Sequence, residues 1–505
     1  MTAWLDRILG RVTMYALVII SLGLIGVAAL VLGLLGQISV APLPLLASAA
    51  VLLVASYIAN GVLGVIFRTK PQLSSMVITA LLLLFIFQPT VDPTGLAVLA
   101  LAATIAAATK YLLAIRGRHI FNPAAAAAFI VGAIPALTGN TFVVWWIGTP
   151  ALLPFTLIGA LAILFRTRRL WLGAVFVVVA TAVWAVTFVS TGQGFVDGIL
   201  FALLSYPTIF FAGFMLSEPL TLPPRRWQQI VEAVLVGGLF GIAFHIGPIS
   251  SSPQFALLVG NLLAFFAGQR RRIRLSYVGK RQLSPSSWEF EFQPAASVRF
   301  AAGQFMELTL PHTRPDSRGW RRVFSIAAAP GDGTPVKFGI RLPERSSSFK
   351  KALLALEPGA KIKGTSVGGD FLLPNDDSKL LLVAGGIGIT PYIGQLEHLR
   401  TSGATRDVAV VYAIASKDDL AYADELKKAG CAVTVISREK PSPLPKGWKW
   451  VQSERMTGEQ LLQVVPDAKE RHTFLSGPPG MVGSLKSALR RSGARRIHTD
   501  VFVGY

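Results

Sequence analysis

Cysteine is nearly missing: the 505-residue chain has one, Cys431. A lone thiol forms no internal disulfide, and iron–sulfur clusters need several thiolates, so neither is expected within this chain. Histidine is scarce in the first half, which offers only His119 and His245, far apart at the ends of apolar segments. An electron-carrying b-type haem in a helical bundle usually needs two facing histidines, so haem is not expected either. Charge is also sparse, 15% of residues against 52% hydrophobic, too apolar for an ordinary soluble protein. From Tyr15 to Phe266 the chain is almost all apolar runs, whereas from Arg270 it reads as an ordinary charged, globular sequence. Acidic side chains are the scarcer sign, 27 against 48 basic, which leaves a net charge of +21. Such an excess can serve nucleic acid or anionic lipid. Many basic residues of the first half stand at the ends of apolar segments, where membrane topology accounts for them. Neither a nucleic-acid partner nor a metal site is expected.

Apolar runs long enough for a roughly 30 Å hydrocarbon core occur at residues 14–36, 43–66, 75–90, 94–115, 122–138, 150–165, 171–189, 195–216, 228–246 and 252–268. They predict about ten spans in a lipid bilayer. The first follows Arg7 and Arg11 as in a signal peptide, but it is longer than a signal core and lacks a clean small-residue cleavage site, so it reads as a retained helix. Arg68 with Lys70, Arg116 with Arg118, Arg166 to Arg169, Arg225 with Arg226, and Arg270 to Arg272 fall on every second side. The loops between, Gln88–Gly95, Thr138–Gly148, Ser190–Val196 and Gly247–Pro253, hold no lysine or arginine. The positive-inside rule then puts both termini and the second half in the cytoplasm, in a multi-pass protein of the cytoplasmic membrane.

After Arg274 short alternating runs, Ile273–Tyr277, Trp288–Phe292, Gln304–Leu310 and Val336–Leu342, predict a small antiparallel β-barrel. From Lys379 strands alternate with helices: strand Leu380–Val383, a glycine turn, a helix from Pro391, strand Val408–Tyr412, helix Asp418–Ala429 and strand Ala432–Ile436. That order predicts a doubly wound parallel sheet with its ligand at the carboxyl ends of the strands. The expected fold class is therefore multidomain: a polytopic α-helical membrane domain (1–270), an antiparallel β-barrel (271–375) and a doubly wound α/β nucleotide-binding domain (376–505).

Three motifs of this half can carry chemistry. In Arg322-Val323-Phe324-Ser325 a guanidinium can hold a pyrophosphate, an aromatic can stack on an isoalloxazine ring and a hydroxyl can bond its N5 edge; four such residues alone also read as a plain strand. Gly385-Gly386-Ile387-Gly388-Ile389-Thr390-Pro391 follows a hydrophobic strand, with Thr390 predicted as N-cap and Pro391 as the first helical residue. Glycines there let a phosphate approach backbone amides at a helix start, although Pro391 stands where the usual dinucleotide fingerprint has its third glycine. Ser476-Gly477-Pro478-Pro479-Gly480 follows the strand Thr473–Leu475, and the sequence ends Phe502-Val503-Gly504-Tyr505.

In this order the residues from about Arg274 to Tyr505 resemble the ferredoxin–NADP reductase superfamily. The resemblance implies FAD held by Arg322, Phe324 and Ser325, with Ser347 and Ser348 approaching its pyrophosphate. It implies NADH or NADPH cradled by Gly386, Gly388, Thr390 and Pro391, with Gly477 and Pro478 beside the nicotinamide. Ser325, Ser476 and Tyr505 would serve the hydride step, Tyr505 as the terminal aromatic covering the flavin. The family often has tyrosine at Phe324, which keeps the stacking, and cysteine at Ser476, where this chain lacks a group near the hydride path. Nucleotide choice stays open: Ser416 and Lys417 can contact a 2′-phosphate, while Asp418 and Asp419 disfavour one.

Ten helices are an oversized anchor for a reductase that serves a soluble acceptor. Three polar stretches interrupt the apolar half: Ser74–Thr79, His119-Ile120-Phe121-Asn122-Pro123, and Ser217-Glu218-Pro219-Leu220-Thr221. Each has a plain reading, Asn122-Pro123 as a helix start and Pro219 as a helix stop. In order they resemble the type of membrane protein shared by the Rnf complex and the sodium-translocating NADH:quinone reductase, over about residues 10 to 268. That resemblance implies non-covalent flavin such as riboflavin among the helices, near Asn122. It also implies an FMN ester-linked to an outer threonine by a flavin transferase; the candidate is Thr149, itself readable as an N-cap before Pro150. The combined expectation is an NAD(P)H-dependent flavin oxidoreductase relaying electrons to an extracytoplasmic acceptor. The alternatives are an NAD(P)H:quinone reductase, or a redox-driven cation transporter for which Glu218 and Glu232 speak, although both stand near cytoplasmic helix ends where solvation is an adequate explanation.

Overall fold

The computed structural model describes residues 9, 12–69, 71–115, 118–133, 142–242, 244–246, 249–267, 273–316, 319–344 and 346–502. The chain divides into two compact units at Arg271/Arg272.

The first unit is helical. Helices α1 (Met14–Leu34), α2 (Pro42–Ile66), α4 (Pro93–Leu112) and α7 (Leu170–Ser190) are long and apolar enough to cross a membrane. A fifth span results if α8 (Phe195–Ser205) and α9 (Thr208–Met215), bent by 57°, count as one. Local chemistry sets several starts: Thr13 accepts the Ala16 N–H at 3.2 Å, and Asp92 accepts the Gly95 N–H at 2.8 Å with Pro93 in the first turn. The other helices are shorter: α3 (Leu73–Ile86), α5 (Pro123–Gly132), α6 (Leu153–Arg166), α10 (Arg226–Gly241) and α11 (Pro253–Ala267).

Every apolar run of the sequence carries helix; against about ten expected spans, four or five helices among the described residues are candidates by length and composition, and the other runs carry shorter apolar helices. The reason is local. Helix α3 stops at Ile86 because Phe87 turns extended and bridges Val143, while the Val144 and Trp145 N–H groups bond the Ile86 carbonyl. Helix α5 has 10 residues, about 15 Å at 1.5 Å per residue. A repeated arrangement frames it: α4, the hairpin β1 (Ala114–Ile115) and β2 (Arg118–His119), then α5; and α10, the hairpin β3 (His245–Ile246) and β4 (Ile249–Ser250), then α11. Small residues let the helices close up. A Cβ on Gly241 of α10 would lie 2.9 Å from Val183 of α7, and one on Gly213 of α9 would lie 2.4 Å from Ala160 of α6.

The second unit carries two six-stranded sheets. The first is antiparallel, in the order β8 (Arg321–Ser325), β7 (Phe305–Thr309), β10 (Lys361–Gly368), β5 (Ile273–Ser284), β6 (Ser287–Pro294), β9 (Val336–Arg341). Its end strands return to each other, since the Ala327 N–H just past β8 bonds the Lys337 carbonyl of β9 at 2.8 Å. Inside lies a core of Leu275, Phe290, Phe292, Met306, Phe338 and Phe349. The second sheet is parallel, in the order β14 (Lys449–Gln452), β13 (Ala432–Ser437), β12 (Val408–Ala413), β11 (Leu380–Gly385), β15 (His472–Gly477), β16 (Ile497–Val501). Helices α13 (Thr390–Thr401), α14 (Ala423–Ala429), α15 (Gly458–Val464) and α16 (Pro479–Arg491) follow β11, β12, β14 and β15. Strand β11 is buried at all six positions, as a central parallel strand requires.

Candidate functional site

In the parallel sheet, β11 leads by way of α13 to β12 on one side, and its other neighbour β15 leads by way of α16 to β16 on the opposite side. The crevice past their carboxyl ends is the switch point where such sheets bind ligands. It brings together the two glycine turns read from the sequence. A Cβ on Gly388 would lie 2.5 Å from the Ser476 carbonyl oxygen and 2.9 Å from Gly477 Cα, so the turns touch there. Gly386 has φ +55 and nothing within 4 Å of a Cβ, which makes it the open position of the turn. Gly477 has φ +148, and Pro478 stands immediately before α16. Beneath, the Tyr392 hydroxyl is 3.1 Å from the Val383 carbonyl and 2.8 Å from that of Phe474, tying β11 to β15. Ser476 is fully buried, and its Oγ has no partner among the described residues.

Thr390 corrects its assignment as N-cap. A 3₁₀ turn, Gly386–Ile389, precedes α13, and Thr390 already has helical angles, with its hydroxyl donating back to the Ile387 carbonyl. Thr390 and Pro391 are both buried, as are Gly388 and Ile389, whereas Gly386 and Ile387 of the turn before them are partly exposed. Of the acidic pair weighed against a 2′-phosphate, Asp419 is engaged elsewhere: it accepts the Ser286 hydroxyl at 2.9 Å. Lys417 Nζ is 3.1 Å from Glu439.

Two acidic residues escaped the sequence reading. Asp500 on β16 pairs in register with Ser476, and burial raises its carboxyl to about 6. The Phe502 N–H bonds the Gly477 carbonyl at 2.9 Å, so the C-terminal run enters beside the crevice. Tyr505 lies outside the described residues. The other acid is Asp316, whose carboxylate meets the Arg322 guanidinium at 2.7 Å.

On the antiparallel sheet, strand alternation turns Arg322 and Phe324 inward and Val323 outward, with Ser325 buried at the strand end. Phe349 lies against both, its ring 5.3 Å from the Arg322 guanidinium carbon and 5.9 Å from the Phe324 ring. Ser347 caps the helix that carries Phe349, α12 (Ser348–Leu354). Arg322, Phe324, Ser347 and Ser348 are thus gathered around one aromatic ring. A Cβ on Gly394 of α13 would lie 3.0 Å from the Ile326 carbonyl, so this helix lies on the chain just past Ser325. A buried cation, an aromatic face and hydroxyls on one side, with an unpartnered hydroxyl at a glycine crevice on the other, fit a flavin dinucleotide and a nicotinamide nucleotide.

The oxidoreductase NAD-binding domain family matches residues 382–487. This chain is 26% identical over 232 residues to the heme-dependent oxidative N-demethylase beta subunit of Ectopseudomonas mendocina, covering 44% of this chain and 67% of the relative. It is 25% identical over 221 residues to the reductase subunit of an aromatic O-demethylase of Amycolatopsis, covering 41% and 63%. Residues 382–487 thus carry an oxidoreductase NAD-binding domain. The relatives are NAD(P)H-dependent oxidoreductases, and this chain spans about two thirds or less of their length. Among solved structures, a cytochrome P450 reductase of Amycolatopsis aligns with TM-score 0.40 at 21% identity, over 46% of this chain and 70% of that one. A ferredoxin NADP+ reductase from Neisseria gonorrhoeae with bound FAD and NADP aligns with TM-score 0.38 at 17% identity, over 46% and 98%.

In the helical unit two of the polar stretches meet, and the third is joined to them through Lys110, which lies within electrostatic reach of Glu218. Lys110 Nζ donates to the Ser75 hydroxyl at 3.2 Å and to Thr79 Oγ1 at 3.0 Å. Asn122 Oδ1 caps α5, accepting the Ala124 and Ala125 N–H groups, while its Nδ2 donates to Glu218 at 2.8 Å; His119 Nε2 is 3.6 Å from the same carboxylate. The Asn122 N–H donates to Asn261 Oδ1 of α11 at 2.7 Å. Among the described residues, His119 Nε2, Asn261 Nδ2 and both carboxylate oxygens of Glu232 are buried without a hydrogen-bond partner. Glu232 is 0% exposed, so the expectation that solvation explains it is overturned. The plain reading of Asn122 as a cap holds together with its place in the cluster. Thr149 lies in a segment anchored by Trp145 Nε1 on Gln254 and Trp146 Nε1 on the Leu84 carbonyl; it is partly exposed, and its hydroxyl does not cap the turn at Pro150.

Proposed function

We propose that this protein is a membrane-bound flavin oxidoreductase that oxidises cytoplasmic NAD(P)H through FAD and relays electrons through flavins among its helices to an extracytoplasmic acceptor. The observation that carries the reading is the convergence of Lys110, His119, Asn122, Glu218 and Asn261 in an apolar helical unit of a chain that also holds a reductase module. FAD, when bound, accepts a hydride and gives up electrons singly. Arg322, Ser347 and Ser348 hold its pyrophosphate, Phe324 stacks on its ring, and Ser325 bonds its N5 edge. Gly386 lets the nucleotide phosphates approach the backbone, Gly388 keeps that turn against Ser476 and Gly477, and Tyr505 covers the ring. Asn261 Nδ2 and His119 Nε2, buried and without hydrogen-bond partners among the described residues, supply donors for a non-covalent flavin near Asn122. The uncapped Thr149 hydroxyl is the acceptor for FMN attached by a flavin transferase.

A second reading, redox-driven cation movement, is favoured by Glu232, whose buried carboxylate has no hydrogen-bond partner. The first test is expression with a flavin transferase and flavin fluorescence on a denaturing gel, beside Thr149→Ala. Fluorescence lost in the variant is expected; none in either removes the outer carrier and favours an electron path that ends at a membrane quinone. Turnover in sealed vesicles that depends on sodium or protons would favour the second reading.

A further inference from the structure

We infer that Asp316 is an internal stand-in for the flavin's phosphate, carried on a loop that must release Arg322 before FAD can bind; this rests on the FAD reading above. The loop joins β7 to β8. Arg322 Nη2 donates to both Asp316 oxygens, at 2.7 and 2.8 Å, and Nη1 donates to the carbonyls of Gly319 and Arg321 at 3.1 and 2.7 Å. The guanidinium is therefore turned to its own loop. The Arg322 side chain is 3% exposed and that of Asp316 28%, so the acid covers the base and is the partner with a way out to solvent.

The same loop also engages the other expected phosphate anchor. The Asp316 N–H donates to Ser348 Oγ at 2.9 Å, and His312 Nε2 lies 3.0 Å from that oxygen. Trp320 Nε1 in turn donates to the His312 carbonyl at 3.1 Å. One carboxylate and one amide thus engage the groups that a diphosphate needs. A carboxylate and a phosphate compete for the same N–H donors, and two anions side by side on one guanidinium repel. Flavin binding then exchanges one anion for another. Flavins that carry phosphate must displace Asp316, whereas riboflavin need not.

The experiment uses the full chain in nanodiscs, stripped of non-covalent flavin and titrated with FAD and with riboflavin. In Asp316→Asn, FAD should bind about tenfold more tightly while riboflavin affinity stays the same. In the wild type, amide hydrogen exchange in residues 311–322 should rise when FAD binds, because the loop is let go. Weaker FAD binding by Asp316→Asn, or a loop that becomes protected on FAD binding, overturns the inference and makes Asp316 a positioning residue for Arg322. A wild-type chain that takes up no FAD overturns the FAD reading itself. The exchange measurement needs no variant, so it decides the matter even if Asp316→Asn does not fold.

Discussion

Adding one methyl group at Gly388 tests the crevice. Its Cβ would meet the Ser476 carbonyl oxygen at 2.5 Å, the Ser476 carbonyl carbon at 2.7 Å and Gly477 Cα at 2.9 Å, all of them backbone. Ser476 cannot retreat, because β15 is paired to β11 on one side and β16 on the other. The turn Gly386–Ile389 must therefore give way, by roughly 0.5–1 Å to restore ordinary contact. Overpacking of this kind destabilises by about 1–3 kcal/mol, which the fold can absorb. Misplacing a bound reactant by about 1 Å costs on the order of 10²-fold in rate, or about 2.7 kcal/mol. Gly388→Ala should therefore lower kcat/KM for NAD(P)H about 100-fold while FAD content stays at the wild-type level. The assay is steady-state NAD(P)H oxidation with an artificial acceptor, beside the flavin absorbance of the same sample. Gly483→Ala on α16 is the control: its Cβ meets nothing within 4 Å and its φ is ordinary. Unchanged kcat/KM in Gly388→Ala, or an equal loss in Gly483→Ala, refutes the placement.

The raised carboxyl of Asp500 predicts a stability effect with a definite sign. Burial favours its neutral form in the folded state, so the stability it contributes is full below the ordinary value of 3.8 and is lost as pH rises through about 6. Asp500→Asn should raise Tm at pH 8, by at most about 3 kcal/mol of stability, and leave it unchanged below about pH 4; an equal shift at both pH values contradicts the assignment. In the helical unit, Asn122→Ala removes the acceptor of two cap bonds and the donor to Glu218, and should cost about 1–2 kcal/mol in thermal unfolding. Asn122→Ser keeps a cap without that donor: non-covalent flavin content should fall with it, and content equal to wild type would make Asn122 a helix start alone.

Much of the reductase half was legible. Strands β11, β12 and β13 stood out because central parallel strands are continuous apolar runs bounded by turns, and the glycine turns fell at strand ends where the sheet must open. Strands β14 and β16 were not read: Lys449–Gln452 and Ile497–Val501 are edge strands in the order, and half-exposed edges lack an apolar run. Thr390 was misplaced because a Thr-Pro pair looks the same whether it caps a helix or follows a 3₁₀ turn; the hydroxyl's return to the Ile387 carbonyl decides it. Asp316 and Asp500 carried no signal, since an isolated acid in a loop or an edge strand acquires meaning only from its neighbour in space.

The helical half teaches the opposite lesson about apolar runs. Hydropathy counts residues and cannot see that the helix before Phe87 ends after 14 residues and the one begun at Asn122-Pro123 after 10, so it located the segments and not their lengths. Its polar interruptions were the better guide. Each had an adequate local explanation, and the structure keeps those explanations while adding tertiary ones: Asn122 both starts α5 and holds Glu218. A fold that needed only a helix start would not need the donor contact as well. Leaving a buried polar group without a partner costs on the order of 1–3 kcal/mol, and here His119 Nε2, Asn261 Nδ2 and the Glu232 carboxylate are all in that state. These groups stand in the same unit as Lys110, Asn122 and Glu218, which supports the proposal that the helices hold a ligand or move a proton.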